Sequence, residues 1–158
     1  MKLYCLLLFI FIPLYLVGEG QVDGDLVLKY VNSARTEGAS CGGSSMASVA
    51  PLKWDDKLSV AAFIHAEDMM ANDFFSHEGS DGSSVGDRVE KVEFDWRAVG
   101  ENVAYNYDDE KLAVEGWLDS PGHCTNIMNP EFTHMGVAVS SDGKYWVQVF
   151  ASPFGEED

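Results

Sequence analysis

Helical and extended segments that interleave without a βαβ rhythm predict an α+β fold, with helices packed on a central antiparallel sheet. Two stretches carry that expectation. Residues 55–73, "DDKLSVAAFIHAEDMMAND", set Leu58, Ala62, His65 and Met69 on one helical line, flanked by Ala61, Ala66 and Met70. Residues 133–152, "THMGVAVSSDGKYWVQVFAS", alternate Met135, Val137 and Val139, turn at Asp142-Gly143 and continue through β-prone residues from Tyr145 to Phe150. This is a hairpin signal.

The other elements follow in order. Residues 25–37, "DLVLKYVNSARTE", place Leu26, Val27, Tyr30, Val31 and Ala34 on one stripe between an Asp25 cap and Gly38, and predict the first helix. The next segment, "GASCGGSSMASVAP", reads as a Gly/Ser-rich loop. A third helix starts at Ser84, and a fourth covers 108–118 and is halted by Pro121. "AVGENVAYN", 98–106, is a shorter strand. Around Asp81 and Asp87, "SDGSSVGD" lacks the ligand spacing of a calcium loop and reads as a turn followed by a helix cap.

The N-terminus, "MKLYCLLLFIFIPLYLVGEG", has one early lysine, an apolar run from Leu6 to Val17 and small residues at Gly18 and Gly20. That is the layout of a secretory leader over residues 1–20, cleaved after Gly20 or Gly18, with one domain over 21–158 and no transmembrane segment in the mature chain. A secreted, extracellular protein is therefore expected, and a monomer. Cys5 leaves with the leader. Cys41 and Cys124 remain in an oxidising compartment, where a bridge between them is the default. His123 beside Cys124 invites a thiol nucleophile, but an easy oxidative partner argues against one.

Charge narrows the partners. The chain carries 26 acidic and 10 basic residues, and removing 1–20 takes one of each, Glu19 and Lys2, so the net charge stays at −16. Nucleic acid and anionic membrane surfaces would be repelled. Most of the acids read as solvated surface.

Glu101 lies in "GENVA" beside apolar Val103, so its charge needs a partner. His77 ends "NDFFSHEG" just beyond the long helix, and His123 follows Pro121-Gly122 in a tight turn. Two imidazoles and a carboxylate from three segments are compatible with an open zinc site. His65, on an apolar helical stripe, reads as a satisfied core residue, and His134 opens a strand. Both are left outside the site.

"HAEDMMANDFFSH", "GENVA", "WLDSPGHCTNIMNPEFTHMGVAV" and "YWVQVF", in this order, resemble the CAP superfamily of cysteine-rich secretory proteins, antigen 5 and pathogenesis-related 1 proteins, also called the SCP domain. The likeness is to compact bacterial-type members and covers residues 25–152. It implies a three-layer α-β-α sandwich. In the family, two histidines and two glutamates face a cleft and can hold a divalent ion such as zinc. The resemblance assigns the histidines to His77 and His123 and one glutamate to Glu101; the second glutamate falls on Ser120, with Asp119 adjacent. "FTHMG" departs from the family's F-T-E pattern at His134.

The function implied is a secreted binding or interaction module for a sterol, lipid, glycan or protein, with aromatics such as Trp117 and Tyr105 near the cleft. The rival is a zinc-dependent extracellular hydrolase with Glu101 as base. No H-E-x-x-H helix is present to support it.

Overall fold

A computed structural model describes residues 22–155. The expected leader and its cleavage point lie outside these residues. Among these residues, five helices and six strands run in the order α1 Gly24–Glu37, β1 Ala39–Cys41, β2 Ser44–Met46, β3 Lys53–Trp54, α2 Asp56–Asn72, α3 Val85–Lys91, β4 Trp96–Tyr105, α4 Glu110–Asp119, α5 Pro121–Ile127, β5 His134–Val139 and β6 Tyr145–Pro153. The main sheet has the order β3-β5-β6-β4. It is antiparallel except for the two-residue β3, which runs parallel to β5.

Alternation along the strands creates the three layers. Met135, Val137, Val139, Trp146 and Phe150 point into one apolar cluster with Val27 and Val31 of α1, Val114 and Trp117 of α4 and Ile127 of α5. Ala138, Val147, Val149, Ala151 and Val103 point into the other, against Leu58, Ala61, Ala62, Ala66 and Met69 of α2 and Val89 of α3. Residues on opposite faces of a strand therefore serve different helix layers, as the period of two requires. Gly136 lets α2 lie directly on the sheet, because any Cβ there would collide with the backbone at Ser59.

Local chemistry explains the boundaries. Asp55 caps α2, accepting from the Lys57 and Leu58 amides. Ser84 and Asp87 form a reciprocal capping box on α3, and the Ser83 amide donates to Asp81 at 2.9 Å, so the acidic stretch is the expected turn and cap.

Three expectations need correction. The first helix is capped by Asp23, not Asp25, and starts at Gly24. Pro121 does not lead into a tight turn: α4 ends at Asp119, and Pro121 occupies the first turn of α5, where its missing N–H and fixed φ cost nothing, so His123 is helical. The Gly/Ser-rich segment contains a small hairpin, β1 with β2, turned by Gly42 and Gly43, both at positive φ.

Two anchors tie this hairpin side to the rest. A disulfide joins Cys41 of β1 to Cys124 of α5 across a separation of 83 residues. Arg35 of α1 is fully buried, and its guanidinium donates to four backbone carbonyls. Nε reaches Ala50 at 2.7 Å, Nη1 reaches Ile127 and Asn129 at 2.7 and 2.9 Å, and Nη2 reaches Phe132 at 3.2 Å. Burial lowers its pKa to about 10, which leaves it charged at neutral pH.

Both anchors make quantitative expectations. Replacing both cysteines by alanine should cost about 4 kcal/mol from the lost restriction on the unfolded chain. Arg35→Met, which strips four carbonyls of their donor, should cost about 3 kcal/mol. Urea denaturation of each variant checks this, and Cys41 and Cys124 should resist alkylation in the unreduced protein.

Candidate functional site

The site begins where α2 stops. Asp73 adopts a left-handed conformation, φ 53° and ψ 53°, and its amide donates back to Met69, which turns the chain across the sheet. Ser76 and His77 are thereby laid beside β4. Glu101 of β4 is 6 % exposed, and both of its oxygens are taken. His77 Nδ1 donates to Oε1 at 2.8 Å and Arg88 Nη2 to Oε2 at 2.8 Å.

Arg88 comes from α3, is almost fully buried, and also donates to the carbonyls of Ser83 and His77 at 2.8 and 3.0 Å. One arginine therefore pins the carboxylate and the backbone of the histidine that shares it. His65 lies behind: its Nε2 donates to the Ser76 carbonyl at 2.8 Å and stands 3.9 Å from Glu101 Oε1. Its Nδ1 has no partner. His65 is the core residue expected, yet it sits against the site's carboxylate.

The opposite wall is α5. Asn102, next to Glu101, faces the other side of the strand and donates to the His123 carbonyl at 3.2 Å and to Gln148 Oε1 at 3.0 Å. Asn126 returns a bond to Asn102 at 2.9 Å and another to the Glu101 carbonyl at 3.1 Å. Buried amides thus fix the helix that carries His123, and the disulfide at the next residue fixes it again. On the α3 side of His77, an open cleft of about 430 Å³ is lined by His77, Glu78, Gly82, Ser84, Val85 and Glu101, and α5 contributes none of its lining.

The histidines titrate in opposite senses. The Glu101 hydrogen bond raises the pKa of His77 above the ordinary value, against burial and with the carboxylate's charge helping. Burial lowers that of His123, and charge on His77 lowers it further. Burial likewise lowers that of His65, partly offset by Glu101. His77 and His123 therefore lie within electrostatic reach, so that charge on one disfavours charge on the other.

Not every expected residue joins them. Asp119 is exposed at the end of α4, and Ser120 sits at the α4–α5 junction without a side-chain cap bond. Trp117, expected near the cleft, is core at 1 % exposure. Tyr105 is half exposed, farther along β4. His134 is buried beside Phe94, ring centroids 6.3 Å apart, on the strand that pairs with β3.

The donor set does not form a ready-made metal site. Among the described residues, no group of three or more His, Cys, Asp or Glu side chains is placed to hold an ion. Glu101, the one carboxylate assigned as a ligand, is already neutralised by Arg88.

Sequence reasoning missed Arg88, although a signal existed. Val85, Arg88, Val89 and Val92 form one helical stripe, and a cation on an apolar stripe requires a buried acceptor.

The model of the cysteine-rich secretory protein family, CAP, matches residues 28–150. The chain belongs to this family. Its CAP domain is 46% identical over 102 residues to the uncharacterized membrane protein YlbC of Bacillus subtilis (strain 168), covering 65% of this chain and 29% of that protein. It is similar, at 30% identity and a TM-score of 0.70, to an extracellular SCP-domain protein of Bacillus anthracis str. Ames, covering 81% of this chain and 39% of that one. An outer surface protein of Borrelia burgdorferi shares the CAP fold alone, at 18% identity and a TM-score of 0.68 over 87% of this chain and 99% of that one. The chain spans well under half the length of its Bacillus subtilis relatives.

Two outcomes are expected of the CAP cleft. Arg88→Gln should destabilise the fold by about 3 to 5 kcal/mol, because it leaves a buried carboxylate without its cation, and calorimetry reads this directly. In an NMR titration, His77 should protonate above pH 6.5 and His123 below it. The sign for His77 follows: its folded pKa is raised, so its contribution is complete below about pH 6.5 and fades as pH rises through the folded value. His65 and His123 act oppositely, favouring the folded state above about pH 6.5 and opposing it below.

Proposed function

We propose that this CAP domain is exported and works outside the cell as a binding or interaction module, taking its ligand in the cleft between His77 and His123. The ligand class is a sterol, lipid, glycan or protein. The observation that carries this reading is the engagement of Glu101. A general base needs an oxygen facing the proton it removes, and a water-activating carboxylate needs room for that water. Both oxygens of Glu101 are committed, to His77 and to Arg88. A preorganised, charge-compensated floor beneath an open cleft fits recognition better than turnover.

Zinc is a subsidiary proposal for the same cleft. With Glu101 held by Arg88, the two imidazoles would be the protein's main ligands and water would complete the shell, so affinity would be far below that of a closed structural site. It would fall further on acidification, as the histidines protonate. Zinc titrated into the metal-free protein should bind weakly, and binding should vanish in a His77→Ala, His123→Ala variant. Equal affinity in both proteins removes the metal.

The main reading is tested by presenting the protein and the same double variant to sterol and phospholipid vesicles, glycans and peptides. Capture by the parent protein that is lost in the variant is expected. Capture indifferent to both histidines overturns the cleft, and peptide or ester hydrolysis lost in Glu101→Gln overturns binding in favour of the hydrolase. N-terminal sequencing of the secreted form should start close to Gln21.

A further inference from the structure

Two segments leave the cleft side by side. From the pair His77 and Glu101, one chain leads back two residues to Phe75, while β4 runs on four residues to Tyr105 on the same face of the strand. The two rings meet again there, centroids 6.3 Å apart and tilted by 65°. Tyr105 is backed by the buried Tyr145, with centroids 4.9 Å apart. Phe75 and Tyr105 are 53% and 49% exposed, so half of each ring lies in water and does nothing for the core. The shelf starts about 13 Å along the strand from Glu101.

Its surroundings are acidic. Tyr145 has its pKa raised first by desolvation and then by the charges of Tyr105, Asp73 and Asp142, which places Asp73 within electrostatic reach of the rings. Glu78 lines the cleft beside His77. The nearby cation, Lys144, is paired with Asp142 at 3.3 Å.

We propose that the shelf formed by Phe75 and Tyr105 docks a basic polypeptide segment, seating an arginine or lysine side chain against the two rings while the chain continues toward the His77 cleft. This rests on the cleft being a binding site. Aromatic faces attract cations, arginine above all. Carboxylates at either end, on a chain of net charge −16, add attraction and steer the approach. An anionic partner is repelled by the same charges. A neutral glycan would stack on the rings but would gain nothing from Asp73 and Glu78.

The test titrates the folded, unreduced protein with an octapeptide of alternating arginine and glycine, the same peptide with glutamine for arginine, and a neutral chito-oligosaccharide. The arginine peptide should bind, the glutamine peptide should not, and affinity should fall as salt rises. A Phe75→Ala, Tyr105→Ala variant should bind about fivefold more weakly or worse. An Asp73→Asn, Glu78→Gln variant should also weaken, although it removes only two charges and asparagine tolerates the left-handed conformation at 73. Because the aromatic side chains are half exposed, thermal melts should confirm that both variants are folded.

Arginine-peptide binding that ignores the loss of both rings reflects the acidic surface at large and overturns the shelf. Loss of binding only in the His77→Ala, His123→Ala variant also overturns the shelf while leaving the cleft intact. Glycan binding that depends on the rings, without arginine-peptide binding, replaces the proposed ligand class. No binding of the arginine peptide at all sinks the inference.

Discussion

A carboxylate can leave water only if its charge and lone pairs are met, and the meeting of Glu101 by Arg88 and His77 is the constraint around which the functional half of this protein is arranged. It draws α3, the segment after α2 and the edge strand β4 to one point. Without it, three elements would converge on an unpaired charge. The same contact fixes which ring nitrogen of His77 faces inward, and so what the histidine offers the cleft.

The opposite layer solves a similar problem with a buried cation. Arg35 gathers four carbonyls, one from the loop before β3 and three from the end of α5 and the loop that follows it. The disulfide then adds a covalent restraint to the same region. Buried arginines thus organise both sides of the sheet, one through a carboxylate and one through the backbone.

The sequence made the sandwich legible wherever periodicity was strong. The α2 stripe, the hairpin of β5 and β6 and the Cys41–Cys124 pair all stand as read. What escaped was encoded by residues with two meanings. Pro121 stops one helix and opens another, and only packing decides between them. Gly42-Gly43 reads as loop or as hairpin turn, and β3 is too short to show any period. For the site, residue types at motif positions singled out His77, Glu101 and His123, of which His77 meets Glu101, but compensation of the carboxylate was sought from imidazoles alone. Arg88 and Arg35 were hidden because a cation on an apolar stripe is read as surface until its acceptors, distant in sequence, are in place.

The two walls of the cleft are held by unlike means. His123 rides on a helix bolted down by a covalent bond at the adjacent residue and by buried amides beneath it. His77 is tied to Arg88 through its backbone, but its ring is held by a hydrogen bond whose strength follows its own protonation. Mechanically, a molecule entering here would meet one rigid jaw and one sprung jaw. The stiffness of that grip would therefore be set on one side only, by pH.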